Sequence, residues 1–462
     1  MRKISYLTNL KEIMYLGQKG FTLPKAGHDL TTIRRDLTFA PKAMYQPGPP
    51  FHAWRENANK IYVPRFYGER RFGAVESRLP PAESVALEFH GSIRPAQEPA
   101  IDAFLLAGCG LLELPCGFGK TVVALHLVAR LKMKTLIIVH KEFLLEQWVE
   151  RIHEFLPGAR VGRIQGTQCD VANKDIVLGM LQSLSMKEYE PGVFAGFGFT
   201  IIDETHHIAA EVFSNALFKI VTPHMLGLSA TMERNDGLSK VFKLFLGEIV
   251  YSAARERTTN VVVQCVRYEH SDTEFNETIL NFKGQANFTA MIGKVCAFGP
   301  RTEFILTMLA HLVDTGAAQI MVLAQNRSIL DYLHAALKHR GFDCAFYVGG
   351  MKASALKESE TARIILATFA MAKEGLDIKT LTTLLLATSQ TDVTQAVGRI
   401  LRVKHNAPLI VDLVDPHGTF GRQWNKRKTF YKSQGYTIVQ STSATYPAMV
   451  PLGDKVRKCL CL

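Results

Sequence analysis

Strand-length runs of apolar residues recur along most of the chain, separated by amphipathic or polar stretches. From residue 86 to 255 they are LLEL (111–114), TLIIV (135–139), DIVLGM (175–180), FTIID (199–203) and MLGLSA (225–230). Helical patterns lie between several of them. Over 120–132, Val123, Leu127 and Leu131 recur at helical spacing, and 142–155 also reads as a helix. Continuous apolar strands joined by helices predict a parallel sheet with crossover helices. After a less regular stretch, 252–300, the alternation restarts with QIMVLA (319–324), a helix over about 328–340, CAFYVGG (344–350), ARIILAT (362–368), TTLLLAT (382–388) and PLIVDLV (408–414). Two α/β domains in tandem are therefore expected. Residues 1–85 mix Pro, Gly, aromatic and basic residues and predict a small β-rich module. The expected boundaries are 1–85 for this module, 86–255 for the first α/β domain, 256–300 for a joining segment, 301–435 for the second domain and 436–462 for a C-terminal tail.

The composition fits this layout. With 462 residues, 47% hydrophobic and 21% charged, the chain can bury sizeable cores. Disordered, collagenous and disulfide-scaffold classes are excluded. No apolar run approaches the roughly 18 residues of a membrane span, and the N-terminus has no secretory h-region. An intracellular, soluble protein with no membrane partner is expected. The net charge of +12 is unevenly placed. Residues 1–80 hold 14 basic and 6 acidic residues, residues 416–462 hold 8 and 1, and the middle holds 32 and 35. Basic ends around a near-neutral centre attract a polyanion, nucleic acid above all. Tyr62, Phe66 and Tyr67 among the N-terminal basic residues are candidates either for base stacking or for the module's own core. The eight cysteines include no CxxC pair, so a zinc ribbon is not indicated and reduced, buried thiols are expected. The final CLCL nominally fits a prenylation box, but a cysteine is unusual at its third position and an ordinary tail is the expectation.

The chemistry is concentrated after three strands. LLEL runs into Pro115, Cys116, Gly117, Phe118, Gly119, Lys120 and Thr121. Glycines let backbone N–H groups turn toward phosphate oxygens, and the next helix adds the positive end of its dipole. Lys120 would reach the β/γ-phosphates and Thr121 would bind Mg2+. Asp203 and Glu204 end the apolar strand FTII, where two carboxylates are costly unless a cation uses them. Asp203 is placed to hold Mg2+ and Glu204 to deprotonate an attacking water. His206 and His207 come next, and either could join a hydrogen-bonded relay. Ser229 and Thr231 end a third strand. In the second domain, Arg399 and Arg402 lie three apart on one helical face, suited to stabilising charge on a transferred phosphoryl group.

The ordered set LPCGFGKT, VLGMLQSL, IIDETHH, GLSAT, ATFAMAKEGLDI and QAVGRILR resembles motifs I, Ic, II, III, V and VI of superfamily 2 helicases. IRPAQ (93–97) resembles the adenine-reading motif of the XPB- and UvsW-like DNA branch. The second half is similar in texture to helicases of large DNA viruses and phages, including the poxvirus transcript-release type. RKTFYKSQGY and, less closely, DLTFAP and KIYVPRFYG are similar to stretches in that viral group. The resemblance covers about residues 86–435. It implies two tandem RecA-like P-loop domains with a small N-terminal module and a basic C-terminal tail. It implies ATP and Mg2+ as cofactors and an ATP-dependent DNA helicase or translocase, 3′→5′ in direction, working in viral or phage transcription, repair or recombination. Transcript release without strand separation and RNA unwinding are the alternatives it leaves. Single-stranded or forked DNA would be the partner, with RNA polymerase or a nascent transcript as further candidates. The place of work would be the host cytoplasm or a viral replication compartment, with virion packaging as an alternative. Gln97 would read adenine with Arg94 nearby, and Asp377 and Gln395 would face the nucleotide. Arg399 and Arg402 would be arginine fingers. His206, Ser229 and Thr231 would couple ATP state to movement, and Gln182, Thr368 and Gly375 would lie along the nucleic-acid strand. Thr205 stands where Ala or Val is common, and Ala396 replaces an Arg often found after the motif VI Gln, which puts one phosphate or interdomain contact in doubt.

Overall fold

The computed structural model describes residues 14–41, 49–115, 117–205, 208–232, 237–253, 260–373, 378, 380–400 and 408–446. The chain divides into two compact units, residues 1–255 and 256–462.

In the first unit the N-terminal segment supplies β1 (Tyr15–Gly17), β2 (Gly20–Pro24), β3 (Thr38–Phe39), β4 (Phe51–His52), β5 (Arg55–Glu56), β6 (Lys60–Val63) and β7 (Glu76–Ser77). Five of them form a sheet ordered β5-β6-β2-β1-β7, and β3 pairs with β4. Alternation decides the buried face: Ile61 and Val63 point inward, while Lys60 and Tyr62 stay partly exposed. Gly20 is required, since its φ is +99° and a Cβ would meet Val63 O at 2.5 Å.

This segment is packed into the α/β part of the unit. Phe21, Leu23, Ile61 and Val63 belong to one apolar cluster with Leu111, Phe213, Phe242 and Phe245. Arg65 donates to Pro223 O at 3.1 Å, and Arg70 pairs with Glu248 at 3.0 Å. Removing residues 1–80 would uncover that apolar surface, at about 25 cal/mol per Å². Tyr62, Phe66 and Tyr67 all pack against this cluster. The Tyr62 hydroxyl accepts from Asn57, and that of Tyr67 donates to Asp36.

The larger sheet of the first unit comprises β8 (Cys109–Glu113), β9 (Thr135–Val139), β10 (Val161–Gln165), β11 (Gln168–Cys169), β12 (Ile176–Met180), β13 (Phe199–Ile202), β14 (His224–Ser229) and β15 (Ile249–Ser252). Its order is β11-β10-β12-β9-β13-β14-β8-β15. Every pairing is parallel except that of β10 with β11. All of β9 is buried, as expected for an apolar strand covered on both faces.

The second unit holds β16 (Val262–Arg267), β17 (Ile320–Ala324), β18 (Cys344–Tyr347), β19 (Ile364–Thr368), β20 (Thr383–Leu386), β21 (Leu409–Val414) and β22 (Thr437–Thr442). The order is β18-β19-β17-β20-β21-β16-β22, parallel throughout. The stretch 256–300, expected as a joining segment, thus supplies β16, and the expected tail supplies the edge strand β22. Gln264 is buried in β16, so polar residues mask the apolar run that would have marked it.

Two arginine–aspartate pairs are fully buried in this unit. Arg301 meets Asp415 at 2.5 Å, and Arg427 meets Asp412 at 2.7 Å. Arg427 also donates to Ser389 Oγ and Gln390 O, and Tyr431 donates to Asp412 at 3.0 Å. Breaking such a pair from one side leaves a buried charge without compensation. Arg427→Ala should destabilise the second unit by about 3–5 kcal/mol, read as an earlier denaturant midpoint. A midpoint unchanged from wild type would contradict this. Among the described residues no helix is long and apolar enough to cross a membrane. Cys109, Cys265, Cys296 and Cys344 are buried free thiols, whereas Cys169 is exposed.

Candidate active site

Three neighbouring strands carry the candidate chemistry. β14 lies between β13 and β8, and all three run parallel. Their carboxyl ends therefore fall on one edge, where open parallel sheets gather ligands. β8 leads into the loop 114–119, β13 into Asp203 and Glu204, and β14 into Ser229–Thr231. Glu113 and Ser229 are register partners.

The loop is shaped by its glycines. Gly117 has φ +82° and Gly119 φ +88°, both in the left-handed region. The Phe118 N–H donates to Pro115 O at 3.2 Å and closes the turn. Helix Lys120–Leu131 then begins with Gly119 as its N-cap, which has no side chain with which to cap the first amides. Those amides and the dipole face whatever occupies the loop. Thr121 is the second residue of this helix.

Arg94 and Gln97 clasp the loop. Gln97 is 1% exposed. Its Oε1 accepts from the Arg94 N–H at 2.9 Å, and its Nε2 donates to Phe118 O at 2.8 Å. The Arg94 guanidinium donates to Gly117 O at 3.2 Å and also to Phe118 O. A Cβ on Gly119 would sit 2.5 Å from Gln97 Nε2, so contact and φ both demand glycine there. The two residues that the family resemblance assigns to adenine thus also hold the phosphate loop in shape.

The charged groups converge. Lys120 Nζ lies 2.8 Å from Glu204 Oε1, with both side chains largely buried. Asp203 is buried, and its Oδ2 accepts from Trp148 Nε1 at 2.9 Å. Its Oδ1 accepts from the Glu204 N–H at 2.9 Å. Burial, and then the adjacent Glu204 carboxylate, push the Asp203 carboxyl well above its usual range, with Lys120 and Trp148 opposing. Glu204 has φ +50°, uncommon for a residue with a side chain and a mark of local backbone strain. This donor set fits a nucleotide with a divalent cation: a glycine cradle at a helix N-terminus, one lysine, one hydroxyl and two hard carboxylates. Mg2+, when bound, supplies positive charge to the phosphate oxygens, and Thr121 and Asp203 are the residues that would hold it. Among the described residues no group of three or more His, Cys, Asp and Glu side chains is placed to hold a metal.

The third strand end is wired to the first. The Leu114 N–H donates to Ser229 O at 2.8 Å. Ser229 Oγ donates to Thr231 O at 2.5 Å and accepts from the Thr231 N–H at 3.3 Å. Glu113 accepts from the Met232 N–H at 3.0 Å and from Ser252 Oγ at 2.7 Å. Neither Glu113 nor Trp148 stands out in the sequence as a site residue. Trp148 shares helical spacing with the buried Leu144, Leu145 and Ile152, a pattern that reads as core.

Gln182 lies just past β12, and its Nε2 donates to His140 O at 2.9 Å. In the second unit Thr368 ends β19, and Gln395 is buried in helix Thr394–Ile400, which also carries Arg399. Cys116, His206, Gly375, Asp377 and Arg402, and the side chain of Arg399, lie outside the described residues.

A parallel sheet with its phosphate loop and acidic pair on one carboxyl edge is the arrangement of P-loop, RecA-like ATP-binding domains. Residues 90–234 match the family model described as type III restriction enzyme, res subunit. A mimivirus protein provisionally named an ATP-dependent RNA helicase is 33% identical over 435 residues, covering 90% of this chain and 83% of its own. An African swine fever virus protein with the same kind of name is 26% identical, covering 91% and 90%. The chain belongs to this family of viral ATP-dependent helicases. The fold is likewise that of yeast Dbp5 solved with RNA and ADP BeF3, with a TM-score of 0.55 at 11% identity, covering 79% of this chain and 92% of that one.

Proposed function

We propose that this protein hydrolyses ATP to move along DNA, and that the 2.8 Å contact between Lys120 and Glu204 marks the centre of that chemistry. A phosphate placed on the glycine loop competes with Glu204 for the Lys120 ammonium. The carboxylate so released can accept a proton from the attacking water. Lys120 then neutralises charge on the β/γ-phosphates, while the hydrogen bonds of Trp148 and the Glu204 amide keep Asp203 aimed at the cation. The links from Glu113 and Ser229 to the loop give a route by which phosphate occupancy shifts the β14 loop. We assign Arg399 and Arg402 as groups that stabilise the transferred phosphoryl charge. Arg399→Ala and Arg402→Ala should then lower turnover more than ATP affinity, because such charge develops only in the transition state. Steady-state kinetics checks this. Lost ATP affinity with full turnover at saturation would move either arginine to a ground-state role.

DNA as the track rests on the likeness of IRPAQ to the DNA branch. RNA unwinding is the second reading, favoured by the names of the mimivirus and swine fever virus relatives. Strand displacement from a forked DNA and from an RNA duplex, run beside triplex displacement, separates the readings. DNA-fork opening is expected. RNA opening alone would install the second reading, and triplex displacement without fork opening would mean translocation without unwinding.

A further inference from the structure

Phe282 is 94% exposed, an unusual position for a large aromatic side chain. It is held there by a built turn. Leu280 bridges Ala286 in antiparallel fashion, and the Asn287 N–H donates to Ile279 O at 2.8 Å. The Asn281 N–H donates to Gln285 O at 2.7 Å, and the Gly284 N–H returns to Asn281 O at 3.0 Å. The Asn281 side-chain oxygen also accepts from the amides of Lys283 (2.9 Å) and Gln285 (3.1 Å). Lys294 braces the foot of the hairpin by donating to Glu277 O at 2.8 Å. The tip therefore has a defined shape, and Phe282 is displayed by it.

The chemistry of the tip selects its occupant. The Lys283 ammonium lies 5.5 Å from the centroid of the Phe282 ring. Lys283, Gly284 and Gln285 around the ring are exposed. Ile279 and Leu280 below it are 38% and 58% exposed. A protein interface needs a contiguous apolar core, whereas an unpaired base needs one flat ring with a cation near its phosphate. We propose that the 279–287 hairpin is a nucleobase-binding element, in which Phe282 stacks on an unpaired base and Lys283 meets the adjoining phosphate. The proposal rests on the reading of this chain as a nucleic-acid motor and gives that motor a named contact in its second unit.

The test uses the full chain and single-stranded DNA and RNA oligonucleotides carrying 2-aminopurine, titrated at several salt concentrations. Phe282→Ala should weaken binding about five- to hundredfold, remove the fluorescence change that reports stacking, and leave the salt slope unchanged. Phe282→Trp should restore both signals, and Phe282→Leu should not. Lys283→Gln should instead lower the slope of log affinity against log salt by about 0.7. Equal effects on DNA and RNA are expected, since a base face is common to both; an effect on one alone names the track. Because the ring buries so little, the melting temperature should hardly move. Wild-type binding with Phe282→Ala binding equally well overturns the proposal and turns the tip toward a protein contact. Failure of the wild-type chain to bind any oligonucleotide overturns the motor reading itself, and this proposal with it.

Discussion

Lys120→Ala should lower ATP turnover by roughly a hundredfold or more. Lys120 has two tasks in this structure. Its ammonium is the counter-ion of Glu204 at 2.8 Å, and it also opposes the burial that pushes the Asp203 carboxyl toward its neutral form. It is also the first residue of the helix after the glycine loop, which sets its ammonium beside any phosphate cradled there. Alanine leaves two adjacent carboxylates without their lysine, and they repel the phosphates that the site must hold. ATP affinity should therefore fall with turnover. Phosphate release, measured beside binding of a fluorescent nucleotide, reads both losses. A variant that keeps half of wild-type turnover would remove Lys120 from the site.

Glu204→Gln should instead spare binding. The amide keeps the size of the side chain and can still accept a hydrogen bond from Lys120, but it cannot take a proton. Turnover should fall by about two orders of magnitude, because general-base help is lost. ATP affinity should persist. Removing the Glu204 charge also relieves one of the two effects that raise the Asp203 carboxyl, so Asp203 ionises more readily. Stable trapping of ATP on the variant, seen by nucleotide retention after gel filtration, is the expected signature. Near-normal turnover would sink the role given to Glu204.

Much of this was legible in the sequence, for physical reasons. Strands buried on both faces must be apolar throughout, so TLIIV and its relatives stand out. A phosphate loop needs glycine at positive φ, and Gly117 and Gly119 announce it. What stayed hidden is polar chemistry buried by tertiary contact. Arg427 counted toward the basic C-terminal charge, yet its side chain is fully buried against Asp412 and is closed to any polyanion. Trp148 looked like core because its ring is core; only its indole N–H serves Asp203. Glu113 sits in the apolar run LLEL, where nothing local says that its carboxylate gathers the β14 and β15 ends. The edge strand β22, with TIVQST, is too polar for its apolar pattern to declare it. The N-terminal segment reads as a small β-rich module by composition, and nothing in its pattern says that its buried residues complete the core beside β8.

A motor of the kind proposed should have its ATP hydrolysis at Lys120 and Glu204 controlled by nucleic acid. Steady-state phosphate release from the full chain, with no nucleic acid and with single-stranded, duplex and forked DNA and RNA in parallel, tests it most directly. Slow turnover alone, marked stimulation by single-stranded or forked DNA, and no response from Lys120→Ala on any of them are the expected results. ATP turnover that stays the same whichever nucleic acid is added would contradict the claim.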